Sequence, residues 1–235
     1  MSEARWGFLA GIVAIGALSG AAGALAVNQI YGGGSDAAVR GYLLQHPEVI
    51  PEAMQRLQER EMAKVVGENR AAIFTPYGSA FAGNPKGDVT LVEYFDYNCG
   101  YCRASLPMLH DLVASDSGLK IVFRELPILS EESRTAARAS LTAAEQGKFA
   151  GFHDALYESG PLSDDRIAAV ARGAGVDLSK ASMTKADAEI SRNRDIAGRL
   201  GMTGTPGWVI GDRVFSGALP IEEMKKAIAA ARAKT

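Results

Sequence analysis

The sequence predicts an α/β fold in which a block of helices divides a small sheet-and-helix unit, with a helical arm in front. Three observations carry this. Residues 89–95 and 120–126 are short, nearly continuous, β-rich apolar runs of the kind that form central strands buried on both faces. From 131 to about 200 the pattern is Ala-rich and helical, broken at Gly147, Gly160-Pro161 and Gly173 to Gly175. Beyond it, 207–210 and 214–215 flank Gly211-Asp212, a hairpin signal.

The first 35 of the 235 residues differ from the rest. No charge falls between Trp6 and Ser35, and residues 7–18 are the apolar heart of this run. About 20 apolar residues cross a bilayer as a helix. Residues 6–27 are therefore expected to be a membrane anchor, or a signal peptide that exits at Ala24-Leu25-Ala26. An uncharged run of this length is uncommon as a buried helix of a soluble fold. Either expectation leaves Arg5 inside and the remaining chain outside the cytoplasm, where disulfide chemistry belongs. The expected location is periplasmic or otherwise extracytoplasmic, with anchoring to the inner membrane if 6–27 is retained. Gly32-Gly33-Gly34-Ser35 closes this 1–35 segment as a flexible linker.

Residues 36–76 read as a helical arm. Asp36 is a candidate N-cap, and Val39, Leu43 and Leu44 lie on one side of the helix it opens. His46-Pro47 interrupts, and Pro51 suits the first turn of a second helix. There Ile50, Met54 and Leu57 form an apolar stripe, continued less cleanly by Met62, Val65 and Val66. Such a stripe has to be buried somewhere. Pairing with further copies of the chain is expected over folding back, although the heptad is too broken for a regular coiled coil.

Residues 77–235 form the main domain. Residues 77–87 are loop-like, and the strand at 89–95 follows. A helix runs from the cysteines to about Ala114, and Pro127 stops the second strand. The helical insertion covers about 129–200, and the hairpin follows it. Pro220-Ile221-Glu222-Glu223 opens the last helix, with proline and acids in its first turn and Ile221, Met224 and Ile228 on its apolar face.

Composition excludes several classes. Net charge is −2, without the basic excess that nucleic-acid binding requires. Two cysteines cannot build a multi-disulfide scaffold. With three scattered histidines (His46, His110, His153) they make a poor zinc set, so neither a metal site nor a cofactor is expected. His110, on the helix after the cysteines, reads as a surface or packed residue.

The two cysteines frame Cys99-Gly100-Tyr101-Cys102 between strand and helix. A thiol attacks as its thiolate. A sulfur at the first position of a helix faces unpaired backbone N–H groups that favour its charge. Cys102, one turn on, can close the ring and hydrogen-bond to it. Gly100 and Tyr101 tune the potential and add no positive charge. A structural disulfide over so short a loop would remove little chain entropy. Copper(I) on two soft thiolates is the chemical competitor.

Residues 95–102, Phe-Asp-Tyr-Asn-Cys-Gly-Tyr-Cys, after a buried strand and before a helix, resemble the thioredoxin superfamily. The helical block is similar to its DsbA-like branch. The resemblance covers about 88–235, and residues 42–50 of the arm look like the N-terminal region of the ScsC/Com1-like members. It implies a thioredoxin-like fold with a helical insertion. It also implies an enzyme, a protein disulfide oxidoreductase acting as oxidase or isomerase. Pro206 would be the family's cis-proline, and the backbone of Thr205 would pair with a substrate strand. Glu93 would be the buried acid that takes the proton of Cys102, and Pro107 the proline that kinks the active-site helix. Implied partners are cysteine-containing protein substrates and a membrane redox partner that reoxidises or reduces the dithiol. In some such members the arm drives self-association. Gly100-Tyr101, with Thr205 before the proline, resembles the disulfide isomerases and ScsC-like proteins more than the most studied oxidases. A membrane-tethered holdase or assembly factor with a vestigial dithiol is the reading from another class.

Overall fold

The apolar run at the heart of the sequence becomes the middle strand of the sheet. The structure, a computed structural model, describes residues 34–234. Its strands are β1 (Phe81–Gly83), β2 (Val89–Phe95), β3 (Leu119–Glu125), β4 (Gly207–Ile210) and β5 (Arg213–Ser216), in the order β1-β3-β2-β4-β5. β2 and β3 run parallel, and the other neighbours run antiparallel. The helices are α1 (Gly34–Gln45), α2 (Val49–Glu68), α3 (Arg70–Phe74), α4 (Gly100–Ser115), α5 (Glu131–Glu145), α6 (Phe149–Glu158), α7 (Asp164–Gly173), α8 (Met183–Arg199) and α9 (Ile221–Arg232).

Successive side chains of a strand point to opposite faces. Leu91 and Phe95 therefore join Ile121, Phe123, Trp208 and Ile210 in a core covered by α4, α9 and the helices α5 to α7. Val92 and Tyr94 join Val122 and Val209 on the other face, under Ile196 and Leu200. Burial on both faces is why β2 reads as one unbroken apolar run. The insertion is cut where the sequence places its breaks. Gly147 and Gly160 have φ of 72° and 94°, a left-handed backbone that glycine adopts without steric cost. Ser130, Ser163 and Ser182 cap the helices that follow them. The last of these starts is hidden in a stretch that reads as continuous helix.

Three residues of the expected 77–87 loop form β1, an antiparallel edge strand on β3. It is too short, and too near a glycine, to show a period.

The chain divides into two units at Gln58 and Glu59. In the first, Val39, Tyr42, Leu44, Ile50, Met54 and Leu57 are 50–67% exposed. In the second, the end of α2 and α3 place Val66 and Ile73 in the cluster of Val92 and Tyr94, with Met62 and Val65 against it. That part of the apolar stripe folds onto the sheet. Arg124 of β3 fastens it, donating to the carbonyls of Ile73 and Thr75 and pairing with Glu189 of α8 at 2.7 Å. The anchor or signal segment expected at 6–27 lies outside the described residues. Among the described residues no helix is long and apolar enough to cross a membrane.

Candidate active site

β2 ends at Phe95, and Asp96-Tyr97-Asn98 turn the chain into α4. Asp96 is 1% exposed and holds this turn. Its Oδ1 accepts from the Asn98 N–H at 2.8 Å and the Ser133 hydroxyl at 2.6 Å. Its Oδ2 accepts from the N–H groups of Ile128 and Leu129 at 2.9 and 3.0 Å. Its carbonyl accepts from the Cys99 N–H at 3.0 Å. One carboxylate thus ties the cysteine loop to the segment after β3. Sequence reading missed it. An acid at a strand end signals a turn, but three of its donors lie more than 30 positions away.

Cys99 is the N-cap of α4 rather than its first residue, which is Gly100. A capping side chain accepts from a backbone N–H near the helix start. Here that acceptor is sulfur: the Cys102 N–H donates to Cys99 Sγ at 3.3 Å. The Cys99 thiol in turn donates to the Thr205 carbonyl at 3.3 Å. The Thr205–Pro206 bond is cis. Both cysteines are free thiols, 6% and 2% exposed. The Cys102 thiol at its side lowers the Cys99 pKa to about 5, helped by the Thr205 side chain and the N–H groups of Cys102 and Tyr101 and opposed by burial. Burial pushes Cys102 far above the ordinary thiol range, as do its hydrogen bond to Cys99 and the charge of Glu93. One sulfur is set to attack, and the other holds its proton.

Glu93 lies beneath the pair. On β2 it stands opposite Phe123 and Trp208, 2% exposed, with Oε1 lacking a hydrogen-bond partner. Burial and the charge of Cys99 raise its carboxyl well above the usual range. Tyr101 is 68% exposed beside the dithiol, and Gly100 is exposed too. Pro107 lies inside α4. His110 is at the surface, 3.4 Å from Asp154. Cys99, Cys102, Glu93, Thr205 and Pro206 thus meet at the C-terminal end of β2, where α/β sheets place their sites. Among the described residues, no group of three or more His, Cys, Asp or Glu is arranged to hold a metal.

The family described as DSBA-like thioredoxin domain matches residues 90–229, and that of the copper resistance protein ScsC N-terminal domain matches 36–64. A thioredoxin-like oxidoreductase from Silicibacter pomeroyi is 38% identical, with a TM-score of 0.65 over 70% of this chain and 98% of that one. A periplasmic thioredoxin-like protein from Salmonella enterica serovar Typhimurium is 30% identical, with a TM-score of 0.65 over 70% and 95%. Proteus mirabilis ScsC in a transitional conformation is 25% identical, with a TM-score of 0.68 over 86% and 96%. The curated relatives matched are Na+/H+ antiporters, and the chain spans about a quarter of their length.

Proposed function

We propose that this chain, which belongs to the family of DSBA-like thioredoxin domains, forms or isomerises disulfide bonds in secreted proteins through Cys99 and Cys102. The carrying observation is the unequal pair: a sulfur at a helix start with its pKa lowered to about 5, beside a buried one whose pKa is raised. The Cys99 thiolate attacks a substrate disulfide, one substrate sulfur leaves, and a mixed disulfide forms. Cys102 then passes its proton to Glu93 and attacks Cys99, releasing the second substrate sulfur. Run backwards, the same steps oxidise a substrate dithiol. The Thr205 backbone and Pro206 hold the substrate strand, and Gly100 and Tyr101 set the potential and the surface it meets.

The partners are cysteine-containing proteins and a membrane redox protein that resets the dithiol. The site is periplasmic or otherwise extracytoplasmic, tethered to the inner membrane if 6–27 stays attached, and the arm within 36–76 joins copies of the chain. Direction follows from the partner. A pair held oxidised in the cell makes the protein an oxidase; a pair held reduced makes it an isomerase or reductase. Copper(I) held by two thiolates fits less well, because among the described residues no further His, Cys, Asp or Glu is grouped with them as a ligand. The test is Cys99→Ser, which should abolish insulin reduction and the refolding of scrambled ribonuclease. A holdase would keep its activity, and that result would defeat the proposal.

A further inference from the structure

Closing the Cys99–Cys102 disulfide from thiolate and thiol removes two electrons and one proton. The electrons reduce the substrate disulfide. The proton leaves Cys102, which is 2% exposed, beside Glu93, also 2% exposed. Neither faces bulk water, so the proton needs an interior route.

A second acid lies on the same face. Glu93 stands opposite Phe123, and Phe95 opposite Glu125. Glu93 and Glu125 are therefore diagonal neighbours across β2 and β3, and Phe95 and Phe123 are the other diagonal, edge to face with centroids 6.1 Å apart. Glu125 is 3% exposed, and neither of its carboxylate oxygens has a partner at hydrogen-bonding geometry. A buried carboxyl left so is costly. Ser140 lies near enough to favour its charged form. The Ser140 hydroxyl accepts from Tyr97 at 2.9 Å, and the Tyr97 oxygen is 3.0 Å from His153 Nδ1. His153 lines a cavity of about 50 Å³ with His110 and Asp154, its remaining walls being apolar residues such as Phe81, Leu109 and Phe149. The His110 and Asp154 side chains are 55% and 38% exposed.

We propose that Glu125 is the second acid of a buried proton circuit, in which Ser140, Tyr97 and His153 carry protons between the Glu93–Glu125 pair and the cavity at His110 and Asp154. The inference rests on the role proposed for Glu93. The titratable groups that interact with Glu125 are Glu93 of β2, Asp96 and Tyr97 of the next turn and Tyr157 of α6. Burial, with the charges of Asp96 and Glu93, pushes the Glu125 carboxyl well up. Burial brings His153 down to about 3, so it relays as a neutral ring.

While Cys99 is a thiolate, burial together with that charge keeps Glu93 protonated. The mixed disulfide removes that charge, and Glu93 gives its proton to the circuit. The freed carboxylate takes the proton of Cys102. The Cys102–Cys99 bond forms, the Cys99–substrate bond breaks, and the substrate sulfur leaves as thiolate. In the opposite direction the circuit delivers the proton that Cys102 takes up.

Reaction of the reduced full chain with Ellman's reagent separates the steps. The first aryl thiolate released reports attack by Cys99, and the second reports attack by Cys102. Glu125→Gln should slow the second release at least about fivefold at pH 6–7, with the difference closing by pH 9 and the first release within about twofold. An unchanged second-release profile in Glu125→Gln beside an altered one in Glu93→Gln overturns the circuit and leaves Glu93 its role. Unchanged profiles in both overturn the Glu93 role and the circuit with it. Should Glu125→Gln fail to fold, Tyr97→Phe breaks the chain with both acids in place. It carries the same expectation, and an unchanged profile there is equally fatal.

Discussion

The Cys99 sulfur meets the Thr205 carbonyl at 3.3 Å across 106 positions of sequence. The meeting follows from strand pairing. β4 lies antiparallel to β2, with Gly207 opposite Tyr94. Thr205 and Pro206, just before β4, therefore arrive where β2 gives way to the cysteine turn. The helical insertion is spliced between β3 and β4 without disturbing that register, so the small α/β unit closes around it.

Alkylation of Cys99 should follow a single ionisation at about pH 5, with the rate level above it and falling tenfold per pH unit below. The Cys102 thiol is the largest cause of the low value, so Cys102→Ala should carry the midpoint most of the way back towards about 8.5. The Thr205 side chain lies near enough to the Cys99 sulfur to favour its charged form. Thr205→Val should raise the midpoint by less than Cys102→Ala does. Iodoacetamide kinetics from pH 3 to 9 decide it, and a wild-type midpoint above 8 would contradict the site as described.

The same depression should make the reduced protein more stable than the oxidised one. A thiol whose folded pKa lies below its unfolded value adds stability fully above the unfolded value, near 9, and loses it as pH falls through about 5. The disulfide has no such group and closes too short a loop to compensate. Melting temperatures should differ by on the order of 5 °C at pH 8, with the reduced form higher. The gap should shrink towards pH 5. A higher Tm for the oxidised form would reverse the direction in which this pair tends to run.

Much of this was legible in the sequence because it is local. The apolar run at β2, the glycine breaks of the insertion and the spacing of Cys99 and Cys102 each show in a few neighbouring residues. The cis bond at Pro206 and the role of Glu93 came from a resemblance, since neither leaves a local pattern, whereas the burial of Glu93 follows from its apolar neighbours. Asp96, Glu125 and Tyr97 were passed over. Asp96 and Tyr97 act through residues of α5, α6 and the segment before α5, and Glu125 ends a strand where an acid ordinarily meets water. The end of the arm is ambiguous for a related reason. Met62, Val65 and Val66 carry the same apolar signal whether they meet another chain or the sheet beside Arg124.

Glu93→Gln should stabilise the oxidised protein at neutral pH. A buried acid whose folded pKa lies above its unfolded value costs nothing below about pH 4.5, and its cost grows as pH rises towards the folded value. Glutamine keeps the shape and removes the ionisation. The gain should be roughly 1–3 kcal/mol at pH 7 and near zero at pH 4, read from urea unfolding. Equal stability at both pH values would mean that this carboxyl is not held neutral.

Asp96→Ala should be among the more damaging single changes near the site. It strands the N–H groups of Asn98, Ile128 and Leu129 and the Ser133 hydroxyl, all now bonded to one carboxylate. Buried donors left without acceptors, and the loss of charge-assisted bonds, put the cost at about 3–5 kcal/mol. The Cys99 turn would loosen with it, so alkylation should lose its low midpoint as unfolding midpoints fall. A cost under about 1 kcal/mol would show that water replaces the carboxylate freely.

The arm within 36–58 should hold copies of the chain together. Val39, Tyr42, Leu44, Ile50, Met54 and Leu57 are 50–67% exposed, and so many exposed apolar side chains on two short helices usually mark a contact. Each such side chain contributes about 1.5–3 kcal/mol when fully buried, so a few of them suffice for association. Light scattering on residues 36–235 should give a mass of at least two chains. Leu44→Glu with Leu57→Glu should return it to one, because each carboxylate would have to be buried unpaired in the contact. The Cys99 alkylation profile should not move, since neither leucine lies in the unit that carries the dithiol. Loss of scrambled-ribonuclease refolding in that monomer, with insulin reduction intact, would place the arm in isomerisation. A single-chain mass for the unaltered protein would remove the shared-cleft isomerase from consideration.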